Sequence, residues 1–289
     1  MSVQITSYRD TLLANLNEIE YQFTDILGRS SIQAANLPSN FIGFASHRWA
    51  PSDDELTAVR MATLQNMRDF EPRFRLLFAH PTPEVGERLN SGFGHLYRWL
   101  DRDTDDHSIP ATTQAAQAKT AEVIEDLRSL TRLLPDDDWP TRLVVDTNAL
   151  LDSPDLTIYA TALGQRYMVH VLPVVLGELD DLKRAGRIPE IRDAARRADR
   201  RLKALRDNGN VRVGARVAGD IYAVFEHIEP GRDGLPSWLD FTVPDDRLVA
   251  SVLLLQSAHP GSTVHVATSD LNLQTKLAAV GLPHVEPQG

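Results

Sequence analysis

The 289 residues hold no cysteine, which excludes disulfides, thiolate metal sites and a cysteine nucleophile. A net charge of −10 and a pI near 5.4 argue against a polyanion spread over the whole surface, so any nucleic acid must meet a local basic patch. No leader-like n-region and h-region opens the chain and no run of 18 apolar residues occurs, so the expectation is a soluble, cytoplasmic protein with no membrane partner.

Residues 1–135 read as an all-α domain. Leu12, Leu13, Leu16, Ile19, Phe23, Ile26 and Leu27 recur at helical spacing, and Gly28 stops that helix. Ser52 with Glu55 forms a capping box, with Asp53 and Asp54 suited to the positive helix end; Leu56, Val59, Leu64 and Met67 then face inward. A third helix follows Thr82 and Pro83, carrying Val85, Leu89, Leu96 and Leu100. A fourth runs from Thr113 through Val123, Leu127, Leu130 and Leu134. The charge of residues 1–140 is about −8, which points to a protein partner or a homo-oligomer contact rather than nucleic acid for this half.

Pro135-Asp136-Asp137-Asp138-Trp139-Pro140 can neither continue a helix nor seed a strand, and the domain boundary is placed there. Residues 141–289 then alternate. Strands are expected at Arg142–Val145, Met168–Leu172 and Thr263–Ala267, and helices at Tyr159–Leu163, Val174–Lys183, Ile191–Leu205, Leu248–Gln256 and Leu273–Val280. This is an α/β pattern with a parallel sheet covered on both faces, whose ligands gather beyond the carboxyl ends of the strands.

Four acids sit at such ends. Asp146 closes the first strand and Asp270 the last; Glu178 edges the apolar stripe of Val174, Val175, Leu179 and Leu182; Asp246 opens a helix. Singly, each reads as a cap or a solvated charge. Together they are a set of hard oxygen donors drawn from separate segments, as Mg2+ or Mn2+ requires.

The segments around them, Asp-Thr-Asn-Ala-Leu-Leu, Pro-x-x-x-x-Glu-Leu-Asp-x-Leu-Lys, Asp-Asp-Arg-Leu-Val-Ala and Thr-Ser-Asp-Leu-Asn-Leu, resemble in order and spacing the signature of the PIN domain. The resemblance runs from Thr141 to the end and leaves residues 1–140 without one. It implies a Rossmann-like α/β/α domain that hydrolyses phosphodiesters, most often of single-stranded RNA, through one or two Mg2+ or Mn2+ ions. It assigns Asp146, Glu178, Asp246 and Asp270 as catalytic metal ligands, with Asp245 as a substitute for Asp246. The supporting polar residues are Asn148, Thr268, Ser269 and Asn272. No catalytic histidine is needed, and His265, inside an apolar strand, reads as structural.

From Lys183 to Arg206 the local charge is about +7, carried by Lys183, Arg184, Arg187, Arg192, Arg196, Arg197, Arg200, Arg201, Lys203 and Arg206. Arg192, Arg196 and Arg200 recur at i,i+4 as one stripe, so Lys183, Arg184, Arg192, Arg196 and Arg200 are the candidate phosphate contacts, against the plainer reading of a solvated helix face. Trp238, eight residues before Asp246, is the candidate for base stacking. The leading function is therefore a metal-dependent endoribonuclease. A non-catalytic RNA- or protein-binding scaffold and a nuclease for single-stranded or flap DNA stand as alternatives. Short stand-alone PIN toxins lack an N-terminal half of this size, and the Arg- and Ala-rich, Lys-poor composition suggests a GC-rich bacterial source.

Overall fold

The structure, a computed structural model, describes residues 7–34, 47–103, 106–186, 188–231 and 234–286. They fall into two compact units, Asp10–Leu134 and Pro135–Gly289, the latter together with Met1–Arg9.

In the first unit the helices are α1 (Tyr8–Gly28), α2 (Asp54–Leu76), α3 (Pro83–Asp101) and α4 (Thr113–Leu130), the last running into a 3-10 turn at Thr131–Leu133. Leu12, Leu16, Ile19, Phe23, Ile26 and Leu27 of α1 are buried as their spacing demands, and Leu13 lies at the edge. The α2 cap differs from the expected box: Asp53, not Ser52, accepts from the Leu56 N–H at 2.7 Å, and the Ser52 hydroxyl accepts instead from Arg60. With that start, the inward face is Leu56, Thr63, Met67, Phe70 and Phe74, while Val59 and Leu64 flank it. Helices dominate this unit, but it is not purely helical: β1 (Ile32–Ala34) pairs antiparallel with β2 (His47–Trp49). Three residues per strand are too few to show an alternation.

Helices α3 and α4 approach closely at Gly92, where a Cβ would come within 2.9 Å of the fully buried Leu127 side chain. Gly92→Val is expected to overpack this crossing and cost about 1–3 kcal/mol, read as a lower denaturation midpoint; an unchanged midpoint would contradict the packing described.

The second unit runs β3 (Thr141–Val145), α5 (Thr147–Asp152), α6 (Ala160–Leu163), β4 (Arg166–Val171), α7 (Pro173–Ala185) and α8 (Pro189–Asn208). It continues with β5 (Ala215–Ala218), β6 (Asp220–Phe225), α9 (Pro244–Ala258), β7 (Thr263–Ala267), α10 (Leu271–Ala279) and β8 (His284–Val285). The sheet order is β5-β6-β4-β3-β7-β8, parallel throughout except for the bulged β5–β6 pair. Strand β3 is the hub, with every residue buried and Val144 and Val145 fully enclosed. From β3 the chain first builds outward through β4, then returns to add β7 on the other side. That reversal opens a crevice at the carboxyl ends of β4, β3 and β7. The stretch Val211 to His227 contributes both β5 and β6 to the sheet.

Candidate metal centre

Strand β3 delivers Asp146 into this crevice. The last ladder bond, from the Asp146 N–H to the Ala267 carbonyl at 3.1 Å, holds it against the end of β7. Its carboxylate caps α5 by accepting from the Ala149 N–H at 2.6 Å, and the side chain is 4% exposed. Three residues beyond β7, Asp270 caps α10, its Oδ1 accepting from the N–H groups of Asn272 and Leu273 at 2.7 and 3.1 Å. On the other flank α7, which follows β4, carries Glu178, whose Oε2 accepts from the Thr147 hydroxyl.

Asp146 feels both of the other carboxylates. Burial pushes the Asp146 carboxyl above its ordinary range, and the Asp270 and Glu178 charges push it further. The Thr268 hydroxyl and the Ala149 N–H pull the other way without cancelling the rise. An acid raised by burial and, in smaller part, by acidic neighbours is one whose charge a cation would stabilise.

The fourth acid is held differently. Asp246 opens α9 and is buried, but Lys276 of α10 places its ammonium 2.7 Å from Oδ1, and the Asp240 N–H donates to Oδ2 at 2.9 Å. Burial would raise this carboxyl, yet the Lys276 and Asp240 hydrogen bonds outweigh it and hold the group below its usual value. Asp245 lies beside it and accepts from Asn272 at 3.1 Å, with Lys276 at 3.4 Å. Among the described residues no three acidic or histidine side chains close around a single ion position.

Of the supporting residues, Thr268 is fully buried against Asp146 and Asn272 bridges α10 to Asp245, whereas Asn148 and Ser269 are exposed. Thr147 and Lys276 are site residues that sequence reasoning missed. Thr147 sits inside the quoted Asp-Thr-Asn segment, so its hydroxyl was in view. Lys276 looks like any lysine complementing a helix C-terminus. Tyr159, also missed, buries its hydroxyl without a hydrogen-bond partner among the described residues; burial and then the Asp146 charge raise its pKa. His265 is half-buried in mid-strand, and burial lowers its pKa to about 4, so it stays neutral and apart from the acids.

The basic helix α8 packs against α7 and α5, the two helices that carry Glu178 and follow Asp146. Its buried stripe is Ala195, Ala198, Leu202 and Leu205, which leaves Arg196 and Arg200 exposed and Arg192 half-buried. Arg184 is exposed at the end of α7, and Arg187 lies outside the described residues. Lys183 bridges Asp180 and Asp199 at 2.5 and 2.8 Å, tying α7 to α8. Arg196 pairs with Asp193 at 3.1 Å on an exposed surface, a contact that costs little to exchange. Trp238 is half exposed, as a stacking residue would be.

The model of the family described as PIN domain matches residues 143–287, half of the chain and nearly all of the α/β unit beyond Pro135. No curated protein matches the chain. PIN domains are generally nucleases and typically use divalent metals. No helix among the described residues is long and apolar enough to cross a membrane. With the family match coinciding with the parallel sheet and its acidic crevice, this chain belongs to the PIN-domain family.

Proposed function

We propose that the protein is a metal-dependent endoribonuclease for single-stranded RNA, using Mg2+ or Mn2+. The observation that carries the reading is Asp146: buried at the end of the central strand, its carboxyl pushed upward first by that burial and then by Asp270 and Glu178, a charge that a bound cation would relieve. The donor set fits a hard divalent ion, since every candidate ligand is a carboxylate oxygen. Asp146, Asp270 and Glu178 would hold it, with Asp246 joining when it parts from Lys276. When bound, such an ion supplies hydroxide from water near neutral pH and offsets charge on the phosphoryl oxygens.

The chain's own groups orient the ligands. The Thr147 hydroxyl fixes Glu178, the Ala149 N–H and Thr268 fix Asp146, and the first turn of α10 fixes Asp270. Lys276 holds Asp246 and adds a positive charge at the rim of the acids. Arg192, Arg196 and Arg200 would track the phosphate backbone leading to the crevice.

Matched single-stranded RNA and DNA, offered side by side with Mn2+, test the substrate. Preferential cutting of RNA supports the reading, and cutting of DNA alone would replace it with a deoxyribonuclease. Arg196→Ala with Arg200→Ala is expected to weaken RNA binding and flatten the slope of log affinity against log salt by about 1–2. An unchanged slope would return α8 to a solvated face.

A further inference from the structure

A second, separate feature lies in the Asp10–Leu134 unit. Helix α3 ends on Asp101, and Arg102 caps it with φ 57 and ψ 47, its N–H donating to the Arg98 carbonyl. Glycine takes this left-handed conformation freely and arginine does not. The backbone there aims the guanidinium inward. Its Cζ lies 4.0 Å above the Trp49 ring and Nη2 donates to the Ser30 hydroxyl, but Nε and Nη1 are buried with no acceptor among the described residues. Arg60 comes from α2 to the same place, donating from Nε and Nη2 to the Leu100 carbonyl and from Nη1 to Ser52. Neither arginine has a carboxylate ion-pair partner among the described residues. Burial, and then Arg60, lowers the Arg102 pKa to about 10, so two cations face one another at the cost of mutual repulsion.

Both arginines line a cavity of about 560 Å³, together with His47, Arg48, Trp49 and Ser52. Two acids also border it. Asp106 turns one oxygen to the Ser108 N–H and hydroxyl, and Asp103 has bonds of its own. Buried guanidinium N–H groups without acceptors are costly, and an oxyanion would satisfy them with charge-assisted hydrogen bonds. Arg48, Arg60 and Arg102 outnumber the two acids on this lining, which favours an anion, and the cavity exceeds the size of a bare phosphate.

We propose that this cavity binds a small organic phosphate monoester, whose phosphate accepts from Arg102 and faces Arg60. The assignment is independent of the metal centre and of the nuclease reading.

Thermal unfolding of the full chain, followed by tryptophan fluorescence in EDTA, tests it with inorganic phosphate, adenosine monophosphate, acetate and chloride at matched ionic strength. The wild type is expected to melt higher in phosphate and in the monophosphate than in acetate or chloride. Arg102→Gly relaxes the backbone while deleting the guanidinium, and Arg102→Gln retains side-chain bulk; neither variant should show the rise. No rise in the wild type, an equal rise in both variants, or an equal rise with acetate would overturn the proposal.

Discussion

In EDTA, Asp146→Asn is expected to unfold at the same temperature as the wild type or a higher one, while Mn2+ and Mg2+ should raise the wild-type transition and leave the variant's unmoved. The sign follows from the burial of Asp146. Its carboxyl is driven upward by desolvation and then by Asp270 and Glu178, so a neutral amide of the same volume removes a repulsion that only a cation otherwise relieves. The α5 cap survives, because an asparagine oxygen accepts from the Ala149 N–H as an aspartate oxygen does, and the Thr268 hydroxyl can accept from the new amide instead of donating to a carboxylate. The metal-dependent shift grows as the logarithm of free ion over its dissociation constant, so a titration reads the affinity lost. A variant markedly less stable in EDTA would mean that Asp146 is a structural cap whose charge is already satisfied. A variant that still responds to Mn2+ would place the ion elsewhere.

The largest loss of stability is expected at Arg142→Met. Arg142 sits 7% exposed on β3 and makes a fork to Asp137 at 2.8 and 3.0 Å, a bond to Ser262 at 3.0 Å and a contact with His170 Nε2 at 2.9 Å. His170 Nδ1 meets Glu226 at 2.7 Å, and His259 Nδ1 meets the second Asp137 oxygen at 2.8 Å. With Arg142 donating to Nε2, His170 must carry its proton on Nδ1 and be neutral, in keeping with the downward shift that burial imposes on it. Removing the guanidinium leaves the Asp137 carboxylate, 8% exposed, without its arginine and held by the Trp139 N–H and a half-buried histidine, a change worth about 3–5 kcal/mol near neutral pH.

The same network sets the acid response. His170 and His259 have folded pKa values below the ordinary 6.5, burial being the first cause in each, so their contribution is complete above 6.5 and lost as pH falls through the folded values. Against the upward push of burial, the Arg142 hydrogen bond brings Asp137 from 3.8 down to about 2, so its stabilisation holds above 3.8 and is lost as pH falls through about 2. Denaturant midpoints of wild type and Arg142→Met should therefore draw closer between pH 7.5 and pH 4 by the histidine part alone, and the Asp137 part should go only as pH falls on towards about 2. A cost below about 1 kcal/mol at pH 7.5 would show that the network is dispensable.

What could be read from sequence was what local pattern encodes. Asp146 and Asp270 stood out because each comes shortly after a mostly apolar strand, and the acidic segments kept their order. Short or mixed elements were not legible. Helix α5 hid inside Asp-Thr-Asn-Ala-Leu-Leu, β5 alternates alanine with arginine and valine, and β1, β2 and β8 have two or three residues each. The α2 cap shifted by one residue because Ser52 and Asp53 are both good caps and only the Leu56 N–H chooses between them. The ion pairs of Lys276 and Lys183 were not legible because their partners Asp246 and Asp199 lie 30 and 16 residues away in sequence and meet them only through packing of one helix on another. The Arg142 network has the same cause, since a buried arginine in a strand cannot be told from an exposed one without its neighbours.

The most direct measurement is cleavage of 5'-labelled single-stranded RNA by wild type and Asp146→Asn prepared in parallel, each in Mg2+, Mn2+ and EDTA. The account predicts cutting by the wild type in metal only and a rate at least about 10²-fold lower in the variant, since losing a metal ligand forfeits several kcal/mol of transition-state stabilisation. Equal cutting by the two proteins, or cutting that persists in EDTA, would contradict it.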